Sequence, residues 1–318
     1  MNKVKDKKEN KEKVVVVLGT TASGKTGLGV KLADLFDGEI VSADSRQVYR
    51  GMDVGSGKDL PDYIIKKPDG KKKKIKYHLI DVASPKTEFN LKKYQKGAFK
   101  ALEDILSRKK LPLIVGGTGL YLQAVVDNYH LSTVKPDIKL REELELLDAS
   151  ELYDKLHLEH PSFAEKLHES DQKNKRHLIR YIEVLSGDLS YQAKTKEPVY
   201  DFLLLGLSPE KELLHSRILK RVTDRLDNED MVGEIKRLHQ EGVSWKRLEG
   251  FGLEYRYISF YLQGKMDYDE MVKKLFIAIC QFSKRQKSWY RRWEKQGKKI
   301  NWIKDFSEAE KIVKKFIA

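Results

Sequence analysis

The chain has 318 residues, enough to bury one large core or two modest ones, with 40% hydrophobic and 35% charged residues. No apolar run reaches the roughly 18 residues that a membrane span needs. The start, MNKVKDKKENKEK, lacks the apolar segment of a secretory signal, and a single cysteine, Cys280, excludes an internal disulfide or a multi-cysteine zinc site. A cytoplasmic protein with no membrane association fits best, working as a monomer without an obligatory protein partner. A net charge of +14 favours a polyanionic partner, most simply nucleic acid.

Residues 1–13 read as a solvated, disordered basic tail. Val14 to Leu18 form a short β-branched run that enters a glycine-rich loop, and TGLGVKLADLF then has helical periodicity. GEIVSAD (Gly38 to Asp44) reads as a second buried strand, and KYHLIDV (Lys76 to Val82) and LPLIVGG (Leu111 to Gly117) as two more. KKPDGKKKKIK (Lys66 to Lys76) reads as a solvated hairpin tip around a Pro-Asp-Gly turn, and LKKYQKGAFKALEDILSRK as a helix. Strands that alternate with helices imply a parallel sheet with helices on both faces and ligands at the carboxyl ends of the strands.

From about Lys135 the pattern becomes helical and highly charged, with no strand candidate, until VYDFLLLGLSP (Val199 to Pro209) returns as a strong strand followed by helices. The expected organisation is an α/β core over 14–134, an all-helical insertion over 135–199, and the rest of the core over 200–318. His157 and His160 are three apart on a helix, yet nothing near them completes a metal site. Cys280, in the apolar stretch FIAICQF, reads as a packed thiol. SKRQKSWYRRWEKQGKK (Ser283 to Lys299) sets cations among Trp289, Tyr290 and Trp293, a mixture that suits RNA contact and equally suits a helix with one core face.

Gly19-Thr20-Thr21-Ala22-Ser23-Gly24-Lys25-Thr26 matches the P-loop pattern G-x-x-x-x-G-K-[ST] between a strand and a helix. Its backbone amides and helix N-terminus suit a diphosphate, Lys25 adds a point charge, and the Thr26 hydroxyl is placed for Mg²⁺. The fold class is therefore α/β, a P-loop NTPase-like parallel sheet flanked by helices. Asp44, at the end of the second strand, faces the loop; it suits Mg²⁺, proton abstraction, or the plainer role of capping RQVYRG. The glycines of GGTGLY (Gly116 to Tyr121) allow a ligand to approach closely, as tight packing also would. No N-K-x-D guanine motif occurs, and HLID, ending at Asp81, is only a generic candidate for a metal-binding acid.

The ordered set GTTASGKT, SADSRQVYRGMDVGSGK, HLID, LPLIVGGTGLYLQAVV, NKRHLIRYIEV and SKRQKSWYRRW resembles the tRNA dimethylallyltransferase family from about Val14 to Trp302. The resemblance implies transfer of a dimethylallyl group from dimethylallyl diphosphate to an adenine beside the anticodon of tRNA, with Mg²⁺ as cofactor and the tRNA anticodon stem-loop as partner. It implies Asp44 as general base, Thr118 near the target base, and Arg221, with Arg217 one turn earlier, on the diphosphate. It further implies tRNA contacts from Ser45, Arg46 and Gln47, from Arg176 and Arg180 in the insertion, and from Lys284, Arg285 and Gln286. Without the family, Arg217 and Arg221 read as solvated helix charges.

The chain departs from the family pattern at several points. Thr20 stands for a Pro, His177 for an Arg, Cys280 for an Arg and Glu254 for a Gly, and the insertion is short. Other readings are a prenyltransferase acting on free AMP, ADP or ATP, a P-loop small-molecule kinase, and a non-enzymatic RNA-binding module. The basic, aromatic C-terminal helix favours RNA over a free nucleotide. The module reading leaves Lys25, Thr26 and Asp44 without a role.

Overall fold

The computed structural model describes residues 11–189, 191 and 195–318, so residues 1–10 of the expected tail lie outside the described residues. The strands are β1 (Lys13–Gly19), β2 (Gly38–Ser42), β3 (Ile64–Lys66), β4 (Lys72–Lys74), β5 (Tyr77–His78), β6 (Leu111–Gly116), β7 (Asp201–Leu207) and β8 (Ile300–Trp302). Six of them form one sheet in the order β5-β2-β6-β1-β7-β8, and every pairing in it is parallel. The lysine-rich segment forms the antiparallel hairpin β3–β4.

The run of valines in β1 records burial on both faces of the sheet. Val14, Val16 and Leu18 pack against the helices Leu91–Ser107 and Gly119–Val126 and against Tyr290 and Trp293 of the long helix Tyr268–Lys295. Val15 and Val17 face the P-loop helix Lys25–Leu35 and the last helix, Phe306–Ile317. A third cluster is wholly helical in its second half. It gathers the arginine helix Lys211–Asp227, the helices Met231–Gln240, Trp245–Phe251 and Leu253–Leu262, and the long helix around Val48, Tyr49 and Met52.

The chain divides into a compact unit of Asn128–Glu197 and a larger one of the remaining residues, so the junctions fall at Asp127/Asn128 and Glu197/Pro198 and not at 134/135 and 199/200. Within the smaller unit, Leu152, Leu156, Leu178 and Ile182 line up at helical spacing into its own core.

Three elements differ from the sequence reading. Lys13 already belongs to β1. The strand expected over 76–82 shortens to Tyr77–His78 because Leu79 and Asp81 take positive φ values of 61° and 58°, which end a ladder. β8 was expected to be helical; it pairs Ile300, Asn301 and Trp302 with Leu204, Leu205 and Gly206.

The segment after β2 is pinned by buried charge. Glu234, 3% exposed, accepts from the N–H groups of Asp53 (2.8 Å), Val54 (2.6 Å) and Gly55 (3.1 Å) and from the Tyr255 hydroxyl (2.9 Å). Lys58, 1% exposed, donates to the Tyr49 carbonyl (2.7 Å), to Asp53 (2.5 Å) and to Asp81. Removing the Glu234 carboxylate strands three amides that fold around it. Glu234→Ala is therefore expected to cost about 3 kcal/mol or more, read as a lower urea midpoint with an unchanged m-value.

Candidate active site

Loops at the carboxyl ends of β1, β2 and β6 meet the arginine helix and the long helix around a cavity of about 400 Å³. Thr21, Asp44, Ser45, Arg46, Thr118 and Arg221 are among its lining residues. The register makes this possible. Ser42 pairs with Val115, and Leu18 with Gly116, so the three strands end at one level. Gly116 must be glycine there, because a Cβ would lie 2.3 Å from the Ala43 carbonyl oxygen.

The P-loop turns through Ala22 (φ 56°) and Gly24 (φ 89°) into its helix. At the open first turn the amides of Lys25 and Thr26 have no intrahelical acceptor, and the helix N-terminus adds positive potential. Ser23, 5% exposed, buries a hydroxyl with no protein partner; a phosphate oxygen would complete it. Lys25 Nζ donates to the Thr20 carbonyl (3.2 Å). Burial pushes its ammonium down to about 8, against the pull of Asp44, and Arg221 pushes the same way as burial.

Arg221 reaches the loop directly, its Nη2 donating to Thr21 Oγ1 (2.5 Å). Burial, and then Arg225 one turn away, lower it to about 10. Arg225, which the sequence reading passed over, is 3% exposed and paired with Asp59 (2.8 Å). The stripe Arg217, Arg221, Arg225 at i, i+4, i+8 was the available signal for it. Arg217, at the solvent end of that stripe, is exposed and absent from the cavity lining. Glu254 lines the cavity at 8% exposure. Burial pushes its carboxyl up, with Arg221 and then Arg225 drawing it back.

Across the cavity, Asp44 Oδ1 accepts from the N–H groups of Arg46 (2.8 Å) and Gln47 (3.4 Å). That is the capping role foreseen for it, made with one oxygen, and the residue still lines the cavity. Thr118 brackets the same turn. Its N–H donates to the Ala43 carbonyl (3.1 Å), and its Oγ1 accepts from the Ser45 N–H (3.1 Å). Arg46 Nε donates to the Phe251 carbonyl (2.6 Å), with its guanidinium 5.5 Å from the Phe251 ring centroid.

Three residues expected to contact tRNA make hydrogen bonds within the protein. Gln47 is an internal brace, accepting from Ser42 Oγ (2.9 Å) and donating to the Gly57 carbonyl (2.8 Å). Gln286 is 6% exposed beneath the P-loop. Arg180 is spent inside the smaller unit on Glu183 and on the Val134 carbonyl (2.9 Å). Arg176 and Lys284 are exposed, and Arg285 is exposed at the cavity wall. Asp81 is held by Lys58. Among the described residues no His, Cys, Asp and Glu cluster stands at the P-loop; the one such group is Glu39, His78 and Asp104, and Arg108 pairs with both of its acids.

A family model described as IPP transferase matches residues 47–293, and one described as isopentenyl transferase matches residues 12–67. The chain belongs to the IPP transferase family. It is 46% identical over 293 residues to a tRNA dimethylallyltransferase 1 of Syntrophus aciditrophicus, covering 91% of this chain and 93% of the relative. Among solved structures it resembles the full-length tRNA isopentenylpyrophosphate transferase of Bacillus halodurans, with 31% identity, a TM-score of 0.67, and 96% of each chain covered. It also resembles a eukaryotic dimethylallyltransferase acting on tRNA, with 26% identity, a TM-score of 0.70, 87% of this chain and 69% of that one covered.

The lowered Lys25 bears on phosphate binding by this IPP transferase. The lysine carries its charge below about pH 8 and loses it above, so affinity for inorganic pyrophosphate is expected to weaken by roughly an order of magnitude between pH 7 and pH 9. Calorimetric titration across that range checks this, and Lys25→Arg should hold its affinity further into the alkaline range.

Proposed function

We propose that the protein transfers a dimethylallyl group from dimethylallyl diphosphate to the exocyclic amine of an adenine beside the anticodon of a tRNA, releasing diphosphate. The supporting observation is the opposition across one cavity of a P-loop gripped by Arg221 and a carboxylate, Asp44, held on its turn by Thr118. The relatives' names point to a dimethylallyl group and to tRNA.

In this reading the allylic carbon–oxygen bond breaks and its electron pair stays with the diphosphate. Negative charge grows on the leaving group, so the amides of Lys25 and Thr26, the Lys25 ammonium and the Arg221 guanidinium bind the transition state more tightly than the substrate. The Thr26 hydroxyl is a hard oxygen donor that suits Mg²⁺ beside a diphosphate, and the ion when bound supplies further positive charge there. The adenine amine is a weak nucleophile because its lone pair is delocalised into the ring. Asp44 takes its proton as the new carbon–nitrogen bond forms, and one carboxylate oxygen is already held by backbone amides, which fixes the group's orientation.

Extruding the base from its loop would bring it to the cavity, as enzymes that modify bases require. Arg285 at the rim and Lys284 beside it would meet phosphates. The reading places the work in a reducing cytoplasm, in keeping with the lone thiol, and no helix among the described residues is long and apolar enough to cross a membrane.

The decisive experiment supplies Mg²⁺ and labelled dimethylallyl diphosphate with either an unmodified anticodon stem-loop or AMP. Label is expected in the stem-loop; label in AMP alone, or ATP consumption without label transfer, sinks the proposal. Asp44→Asn should lower kcat by about 10²–10⁴-fold with stem-loop affinity kept. Arg221→Ala should lower kcat/KM for the diphosphate by about 10²–10³-fold.

A further inference from the structure

The long helix presents two faces near the site. Residues 286, 289, 290 and 293 share its inner side at i, i+3, i+4 and i+7, while Lys284, Arg285 and Ser288 are exposed. The inner side closes on the P-loop and on the loop after β6. Gln286 Oε1 accepts from the Thr21 N–H (2.8 Å), and its Nε2 donates to the Gly117 carbonyl (2.8 Å). One turn on, the Tyr290 hydroxyl lies 3.1 Å from the Gly19 carbonyl oxygen and 3.3 Å from that of Gly117. A Cβ at Gly117 would stand 2.5 Å from Gln286 Nε2, and one at Gly119 2.5 Å from Trp289 Cδ1, so both glycines are shaped to this helix.

These bonds join two halves of the site. Thr21 is held by its side chain from Arg221 and by its amide from Gln286. Gly117 precedes Thr118, which in turn fixes Ala43 and Ser45 on either side of Asp44. A continuous polar chain thus runs from the arginine of the diphosphate site to the turn of the carboxylate, and Gln286, backed by the Tyr290 hydroxyl one turn on, links the loops of β1 and β6 within it.

We infer that Gln286 is a positioning residue that sets the P-loop and the Asp44–Thr118 turn at their working separation, and that it makes no contact with RNA. The inference deepens the proposed function and rests on it for the identity of the donor. A primary amide suits the task because it accepts from one loop and donates to the other with no charge beside a diphosphate. A displacement of about 1 Å in such a frame costs on the order of 10²-fold in rate.

The test compares Gln286→Met, close in volume but without the amide, with the Lys284→Ala/Arg285→Ala double variant. Gln286→Met should weaken inorganic pyrophosphate binding at least tenfold, raise KM for dimethylallyl diphosphate and lower kcat. Its stem-loop affinity, and the slope of that affinity against salt, should match the wild type. The double variant should reverse the pattern, flattening the salt slope with pyrophosphate affinity kept. Tyr290→Phe, which deletes one oxygen, should show the Gln286→Met signature in weaker form and serves if the methionine variant fails to fold.

Stem-loop binding lost with pyrophosphate binding intact would make Gln286 an RNA contact and overturn the inference, as would a variant equal to the wild type in both. Pyrophosphate titration reads the loop without turnover. A wild type that transfers no prenyl group would therefore sink the functional reading and still leave this inference open to refutation.

Discussion

β2, β6 and β1 lie edge to edge in that order, and the geometry of the site depends on it. Neighbouring strands stand about 4.8 Å apart, so the loops after β2 and β1 open about 10 Å from one another with the loop of β6 between them. That gap suits a reaction in which a small allyl group passes from a phosphate cradle to an amine held by a carboxylate. Parallel pairing also sends all three carboxyl ends the same way, which is why ligands gather at such an edge. The glycine that ends β6 lets the strands close; a side chain at Gly116 would force Ala43 and its neighbour Asp44 away.

The balance of charge inside the frame is as constrained as its shape. Asp44 and Asp59 act on both Lys25 and Arg221, and Glu254 acts on Arg221, each offsetting part of the lowering that burial causes. Arg225 is neutralised by Asp59, whereas Lys25 and Arg221 hydrogen-bond to a carbonyl and a hydroxyl. Two desolvated cations matched only to neutral acceptors favour an anion. Their lowered proton affinities record the cost of holding them ready. Glu254, at a position where the family pattern has Gly, places a carboxylate against the same arginines and moderates that charge.

Much of this could be read from the sequence, for local reasons. The P-loop is a contiguous motif between a strand and a helix. The valines of β1 announce burial on both faces. The Pro-Asp-Gly turn placed the β3–β4 hairpin. β8 escaped notice because three residues, Ile300 to Trp302, carry no period of their own and take their conformation from β7. Within the site, Asp44 stood out through its place at the end of β2, whereas Thr118, Gln47 and Gln286 were singled out only by the family resemblance, which gives the two glutamines to RNA. Their partners are set by tertiary structure. Gln286 reaches Thr21 across 265 positions of sequence, and no local pattern encodes that. Glu234, which organises residues 53–55 from 179 to 181 positions away, was invisible for the same reason.

The smaller unit begins and ends at neighbouring places. Asn128 Nδ2 donates to the Glu197 carbonyl (2.9 Å), and the Lys196 N–H to the Asn128 carbonyl (3.0 Å). A segment whose two termini are stitched together behaves like a bead clipped onto a string. Such a bead can be lengthened, trimmed or exchanged without moving the strands that precede and follow it, because its two ends already meet.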